Sequence, residues 1–183
     1  MIIMEHVENK IFCHINKNAN FQIGKTYIFG KKINSFFKFY EEWEPNSTTN
    51  EKQLLQEFST YVRERVFEDV RRENFPKCPS RMKCLWVLPN SQESINYWKL
   101  RIPNYLNLVK FKCSGTIHKG DERYLTPMYF SLSLQRSLAM SYWSGIPISN
   151  DEKYQEILFV GKATVIEIIS LPPVPNLLEP ESL

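Results

Sequence analysis

A glutamate stands directly before a run of large apolar residues late in the chain, in the stretch YQEILFVGK. If Glu156 begins a strand, the alternation of side chains places it on the same face as Leu158 and Val160. The carboxylate would then lie at the rim of an apolar surface, partly removed from water and able to accept a hydrogen bond from a ligand hydroxyl. A solvated strand end is the alternative, and the residues alone leave both interpretations open.

Three further places carry side chains that could bind a ligand. His14 ends a short apolar stretch, where either ring nitrogen could bond to a ligand or to the protein itself. After Ser80, the planar guanidinium of Arg81 could hold a phosphate or carboxylate, or form a salt bridge to the acidic segment before it. Tyr142 and Trp143 precede a turn containing glycine and proline, and they could stack on a base or belong to the core.

Several common chemistries have no motif in this chain. Its six glycines are too scattered for a phosphate-binding loop or a dinucleotide fingerprint, and neither a G-x-S-x-G elbow nor an H-E-x-x-H pair occurs. The four cysteines lack C-x-x-C spacing and have no histidine pair nearby. We therefore expect buried free thiols and no metal site.

Charge is unevenly distributed along the 183 residues, although the formal net charge is only +3. Residues 76–120 contain eight Lys or Arg and one acid, whereas residues 41–75 contain nine acids and five bases. A basic central region favours a phosphate-bearing partner, either a nucleotide or a nucleic acid. A mixed, solvated surface is the alternative.

Hydrophobic periodicity predicts an α+β domain, because helices and strands are mixed without regular alternation. The clearest helix is predicted from Thr49 to about Asn74, and its apolar stripe comprises Leu54, Leu55, Phe58, Val62, Val66 and Val70. Two more helices are predicted over 92–100 and 131–143. Strands are predicted over 10–15, 82–88 and around 106–114, followed by a polar loop over 116–127.

The end of the chain is predicted to contain two strands, EILFVG and ATVIEII, joined at Gly161-Lys162 by a hairpin or a bulged bend. We expect one domain over residues 1–170 and a proline-rich, extended tail over 171–183. No apolar run approaches the roughly 20 residues of a membrane helix, and the N-terminus lacks a signal-peptide pattern. A cytoplasmic protein without membrane contact is the expectation.

Taken in order, these features resemble the ADP-ribosyltransferase fold. The segment FCHINKNANFQIGKTY resembles its first strand, which ends in histidine and is followed by a polar turn. The segment SRMKCLWVLPNSQESINYW is similar to its second strand and following helix, where this chain has Ser80, Arg81 and Trp86 at the second motif. YQEILFV resembles the late strand that begins with glutamate in bacterial toxins that modify DNA. FPKCPSR, CLWV, YWSG and EILFVGK also resemble an uncharacterised bacterial domain family of this fold.

The resemblance implies a split β-sheet core with a long helix on one side and NAD⁺ as co-substrate in a cleft between two small sheets. In that arrangement Glu156 would hold a hydroxyl of the nicotinamide ribose, and His14 would bond to a ribose. Arg81 would neutralise the pyrophosphate or orient the acceptor. The NAD⁺-binding set that it implies is His14, Ser80, Trp86, Tyr142 and Trp143, with Glu156 and Arg81 as catalytic residues.

The residues and the resemblance leave three functions open. The first is a NAD⁺-dependent ADP-ribosyltransferase, in the role of a bacterial toxin or phage-defence effector, with a protein or nucleic-acid acceptor and a neutralising antitoxin partner. The second is a non-catalytic nucleotide- or nucleic-acid-binding module on the same fold. The third is a protein-interaction domain that uses the acidic long helix.

Overall fold

The computed structural model describes residues 4–17, 19–102, 104–125 and 131–171. Apart from residue 171, the predicted proline-rich tail lies outside these ranges. The described chain is a mixed α+β domain with four helices and a five-stranded antiparallel sheet. In chain order the elements are β1 (Met4–Asn16), β2 (Thr26–Phe29), α1 (Ser35–Glu42), α2 (Glu51–Asn74), β3 (Leu85–Pro89), α3 (Gln92–Arg101), β4 (Asn107–Asp121), α4 (Leu132–Ser144) and β5 (Gln155–Ser170). Short 3-10 turns cover Glu122–Leu125 and Glu152–Tyr154.

The strands close on themselves around the long strand β4. On one side β4 pairs with β1, and on the other it pairs with the whole of β5. Strand β3 joins β1 to the first half of β5, and β2 pairs with the second half of β5. The pairing of β1 with β3 is short, because it comprises only Phe12 with Pro89 and Cys13 with Leu88. Beyond these pairs, the side chain of His14 contacts the Trp86 carbonyl oxygen of β3.

Strand β5 is one continuous strand, so both alternatives predicted at Gly161-Lys162, a hairpin and a bulged bend, are wrong. The register with β4 passes through this point without a shift, and Gly161 lies directly opposite Gly115. A β-carbon at Gly161 would lie 2.5 Å from the Ser114 carbonyl oxygen. Glycine therefore permits a close approach of two backbones here, and does not mark a turn.

The predicted polar loop over 116–127 is also wrong in its first half. Strand β4 continues to Asp121, because Thr116, Ile117 and His118 pair with β5 residues. His118 is fully buried, and its Nε2 lies 3.3 Å from the Tyr142 carbonyl oxygen. Tertiary contacts thus hold polar residues in a strand that their composition did not favour.

Helix α2 has the predicted bounds within two residues, but its predicted apolar stripe is wrong for the N-terminal half. There Leu54, Leu55 and Phe58 are exposed. The buried face instead carries Glu64, Phe67, Glu68 and Val70, and the two apolar residues of this set pack with Ala139, Tyr142 and Trp143 of α4. The buried face therefore includes two carboxylates, which matters for the site described below.

The predicted ends of the helices follow from capping. Side chains of Asn50, Ser91 and Ser131 accept hydrogen bonds from the first turns of α2, α3 and α4, and Gly145 ends α4 in the left-handed conformation. All four cysteines are buried free thiols, as predicted. None of the helices in the described ranges is both long enough and apolar enough to cross a membrane.

Replacement of Gly161 by alanine is expected to lower the free energy of unfolding by about 2–4 kcal/mol. The backbone φ of +144° strains any other residue, and the new methyl group would meet a backbone oxygen that cannot move away alone. Gly24→Ala is the matched control, since Gly24 also has a positive φ but has no atom within 4 Å of the new methyl group. We expect a loss of about 1 kcal/mol there. Equal losses in chemical denaturation would contradict the close approach.

Candidate functional site

A cavity of about 950 Å³ opens where the pairing of β1 and β3 stops. Its wall is built by the end of β1, by β2 and α1, by α2, and by the segment that leads into β3. Four of the side chains predicted from sequence line it together: His14, Arg81, Trp86 and Glu156. Residues that are 142 positions apart in the chain, His14 and Glu156, therefore share one wall.

Glu156 lies at the start of β5 and is 7% exposed. Its Oε2 accepts a hydrogen bond of 2.6 Å from the Tyr142 hydroxyl and a second one from Nη1 of Arg81. Within the described ranges Oε1 accepts no hydrogen bond from the protein. The carboxylate is thus oriented through one oxygen while the other remains free to accept a hydrogen bond from a ligand in the cavity.

A glycine makes this arrangement possible. Gly120 of β4 pairs directly with Glu156 of β5. A β-carbon at Gly120 would lie 2.2 Å from the ring of Tyr142, so the ring covers the position that a larger residue would fill. The absence of a side chain at Gly120 therefore lets Tyr142 reach Glu156 across the sheet.

Arg81 is buried and holds two carboxylates at once. Its Nε and Nη2 donate to Glu64 of α2 at 2.8 and 3.1 Å, and its Nη1 donates to Glu156 and to the Tyr142 hydroxyl. Although burial raises the pKa of Glu64, the Arg81 and Arg63 guanidinium groups outweigh it and hold that pKa below its ordinary value. The sequence left open whether Arg81 binds a ligand or forms a salt bridge to the acidic helix, and the structure shows the salt bridge.

Burial raises the pKa of Tyr142 well above its ordinary value, and the charge of Glu156 adds to the effect. The phenol is therefore protonated at neutral pH and donates to the carboxylate. Arg81, Tyr142 and Glu156 form a single buried network, and within the described residues Oε1 of Glu156 is its atom without a protein partner.

His14 and Trp86 form the part of the wall where β1 and β3 separate. Nδ1 of His14 lies 2.8 Å from the Trp86 carbonyl oxygen, which can only accept, so Nδ1 carries the proton. Burial lowers the pKa of His14, so the ring is neutral at pH 7 and its Nε2 presents a lone pair. The Trp86 indole N–H is buried and has no acceptor in the described part of the chain.

The other three predicted binding residues do not line the cavity in the described structure. Ser80 donates a hydrogen bond of 3.0 Å to Glu68, which anchors the segment before Arg81 to α2. Trp143 is fully buried, and its indole N–H donates to the Phe67 carbonyl oxygen at 2.8 Å. Tyr142 is also fully buried and touches the site only through its hydroxyl group.

Three glutamates of the wall, Glu57, Glu64 and Glu122, were not identified from sequence. Glu64 is the bidentate partner of Arg81, and its spacing of three and four residues from Phe67 and Glu68 is the signal that places it on the buried helix face. Glu122 accepts hydrogen bonds from Tyr97 and, at 2.6 Å, from Arg101. No sequence signal marks Glu122, because its partners come from α3.

The charges along the wall divide into paired and unpaired groups. Arg63, Arg81 and Arg101 each form an ion pair with a wall glutamate, namely Glu64, Glu156 or Glu122. Glu57, the remaining wall glutamate, accepts a hydrogen bond from Tyr40 at 2.9 Å. The lysines of the wall are Lys17, Lys32 and Lys83; all three are exposed and make no ion pair within the described residues. The mouth therefore carries excess positive charge.

Acidification from pH 6.5 to about 4 is expected to lower the free energy of unfolding by up to about 3 kcal/mol through His118. Burial lowers the pKa of His118 from 6.5 to about 4, so in this window the unfolded chain binds a proton that the folded chain does not. Stability is thus full above pH 6.5 and is lost as the pH falls. His14 acts in the same direction.

Chemical denaturation between pH 7.5 and 4.5 measures this effect. His118→Gln keeps a donor for the Tyr142 carbonyl oxygen but cannot take up the proton, so its stability should depend less steeply on pH. Identical pH dependence in the two proteins would contradict a buried neutral His118.

Comparison with known proteins identifies the family to which this chain belongs. A search of curated proteins finds no match. A family model described as "Protein of unknown function (DUF2441)" matches residues 12–171, a range that includes every residue of the site described above. The match spans most of the 183 residues, and the chain therefore belongs to the DUF2441 family.

Proposed function

We propose that this protein is a NAD⁺-dependent ADP-ribosyltransferase whose substrate site is the cavity between β1 and β3. The observation that carries the proposal is Glu156, a carboxylate fixed through one oxygen by Arg81 and Tyr142 while its other oxygen is free at the cavity wall. A neutral His14, which lines the same cavity, adds a second hydrogen-bond acceptor.

The shape of the site supports the proposal. Ligand cavities commonly measure about 300–1,000 Å³, and this one, at about 950 Å³, has room for a dinucleotide. The ring surfaces of Trp86, Phe36 and Trp98 offer apolar walls for a nicotinamide or adenine ring. The resemblance implies a cleft between two small sheets, whereas the described strands form one sheet and the cavity opens where the short pairing of β1 with β3 ends.

The chemistry requires that the bond between C1′ of the ribose and the nicotinamide nitrogen breaks, with the electron pair leaving on nicotinamide. Positive charge then develops on the ribose ring. Glu156 is suited to this step, because a carboxylate that accepts a hydrogen bond from a ribose hydroxyl stabilises that charge, as in glycoside hydrolysis. Nε2 of His14 is suited to accept a hydrogen bond from a second hydroxyl.

Arg81 acts in this proposal as a positioning residue. Its guanidinium is committed to Glu64 and Glu156, so it orients the catalytic carboxylate and does not bind a phosphate itself. Ser80 supports the same segment through Glu68. Tyr142 acts only through its hydroxyl group, and Trp143 holds α4 against α2.

The test is to incubate the protein with NAD⁺ labelled in the nicotinamide or adenine half, together with protein and nucleic-acid fractions. We expect saturable binding of NAD⁺, release of nicotinamide, and transfer of the adenine-bearing half to one fraction. Absence of both binding and release would overturn the proposal. A toxin or defence role further predicts that expression impairs growth and that Glu156→Gln relieves this effect.

A further inference from the structure

We propose that the mouth of the cavity binds a single nucleic-acid strand through Lys17, Lys32 and Lys83, and that this strand is the acceptor of the ADP-ribosyl group. Strand binding is inferred directly from the described residues. Its role as acceptor rests on the proposed function.

Positive charge remains on the cavity wall after its ion pairs are counted. Three arginines and three glutamates of the wall neutralise one another in ion pairs. The three unpaired lysines are offset by one further wall glutamate, Glu57, which accepts a hydrogen bond from Tyr40. Unpaired, exposed lysines at a concave opening attract a phosphate-bearing ligand.

The three lysines lie on both lips of the cavity. Lys17 directly follows β1, on one lip of the cavity, and Lys83 precedes β3, on the other. Lys32 belongs to the second lip, because the loop around it is bonded to the chain beside Lys83. Gly30 donates to the Lys83 carbonyl oxygen at 3.0 Å, and Asn34 donates to the Met82 carbonyl oxygen at 2.9 Å. Cations on both lips suit a polyanion that crosses the opening.

Aromatic rings form a surface between the two lips. Phe36 packs edge-on against Trp86 and Tyr40, with ring centroids 5.1 Å apart in both pairs, and Phe39 continues the row at 42% exposure. All four rings line the cavity; Trp86 and Phe36 serve the rings of NAD⁺ in the proposed function, which leaves Tyr40 and Phe39 for the bases of the strand. Basic grooves with interleaved aromatic rings are characteristic of sites for single strands, where phosphates contact lysines and bases stack.

A protein acceptor is the competing class. The exposed apolar residues of α2, such as Leu55 and Phe58, stand beside carboxylates such as Glu51, and that surface would repel a polyanion. The lips carry lysines instead. The strand is therefore expected to cross the lips and not to follow α2.

In the proposed transfer, one bond at C1′ of the ribose breaks and another forms. The bond from C1′ to nicotinamide breaks, and a new bond forms between C1′ and an oxygen or nitrogen of a base or sugar in the strand. The proton of that heteroatom passes to solvent, and nicotinamide keeps the electron pair.

Strand binding is tested without NAD⁺. Fluorescence anisotropy of a labelled single-stranded oligonucleotide of about 12 residues is measured across salt concentrations from about 50 to about 200 mM. Three phosphate contacts predict that the logarithm of the binding constant falls with the logarithm of salt at a slope of about −2. DNA and RNA probes are measured separately, and binding of either supports the proposal.

The variant Lys32→Gln/Lys83→Gln removes two of the three contacts. We expect about 25-fold weaker binding near 0.1 M salt, which is about fivefold for each contact, and a slope reduced by about 1.4. Lys31→Gln is the matched control, since Lys31 is an exposed neighbour outside the cavity wall in the described structure. It should stay within about twofold of the wild type.

The outcomes separate this inference from the proposed function. Absence of salt-dependent binding, or an equal loss in Lys31→Gln, overturns the strand site. Transfer of label to protein alone overturns the nucleic-acid acceptor. Salt-dependent binding by a protein that releases no nicotinamide supports the strand site and overturns the transferase.

Discussion

Replacement of Glu156 by glutamine is expected to lower the rate of nicotinamide release by about 10²–10³-fold. The side chain keeps its size and can still accept the hydrogen bond from Tyr142 through its amide oxygen. It loses the negative charge that stabilises the developing positive charge on the ribose. The measurement is single-turnover release of labelled nicotinamide, together with the affinity for NAD⁺, which should change much less than the rate.

Glu167→Gln is the matched control for this prediction. Glu167 lies on the same strand, is paired with Lys110 at 2.8 Å, and has a side chain that is 51% exposed. The rate of release should be unchanged there. If Glu156→Gln released nicotinamide as fast as the wild type while remaining folded, the catalytic role of Glu156 would be wrong.

Replacement of Arg81 by methionine is expected to lower the free energy of unfolding by about 3–5 kcal/mol. Methionine fills much of the space but leaves the carboxylates of Glu64 and Glu156 buried, with fewer donors. The cost arises from uncompensated charge and not from a lost packing contact. Chemical denaturation measures this loss of stability. The midpoint should fall, while the slope of the unfolding free energy against denaturant concentration stays the same.

Arg72→Met provides the comparison, since Arg72 contacts Glu68 at 3.3 Å but its side chain is 59% exposed. A loss of no more than about 1 kcal/mol is expected there, because water already solvates the Arg72 guanidinium and the buried Glu68 keeps Arg71. A further variant, Arg81→Met/Glu64→Gln/Glu156→Gln, removes the buried charges and should recover part of the stability. Equal losses in Arg81→Met and Arg72→Met would contradict a buried network.

Local signals predicted three of the four described helices, and α1 (Ser35–Glu42) was not predicted. α2 and α4 begin and end within two residues of the predicted positions, since their caps, Asn50, Ser131 and Gly145, act through neighbouring backbone groups. The face of α2 was predicted wrongly. The predicted apolar stripe extends beyond the part of α2 that α4 covers. The sequence of α2 does not indicate where α4 packs.

The candidate site was predicted in part. Strand periodicity predicted Glu156 at the rim of an apolar face, and only the family resemblance made it a candidate catalyst. The structure places it on the face of Leu158 and on the wall of a cavity. Glu64 could not be found in the same way, since its partner, Arg81, lies 17 residues later and reaches it only in the folded chain.

What the sequence determined by itself is therefore local: the α+β class, the caps, the buried thiols, and the candidates His14, Arg81 and Glu156. The tertiary structure alone decided that these three side chains share one cavity, that Arg81 is bound by two carboxylates, and that Gly120 and Gly161 serve close contacts instead of turns. The physical reason is that hydrogen bonds between adjacent strands, ion pairs and close backbone contacts join residues far apart in the chain. Periodicity and capping depend only on neighbours within a few positions, so they cannot report such partners.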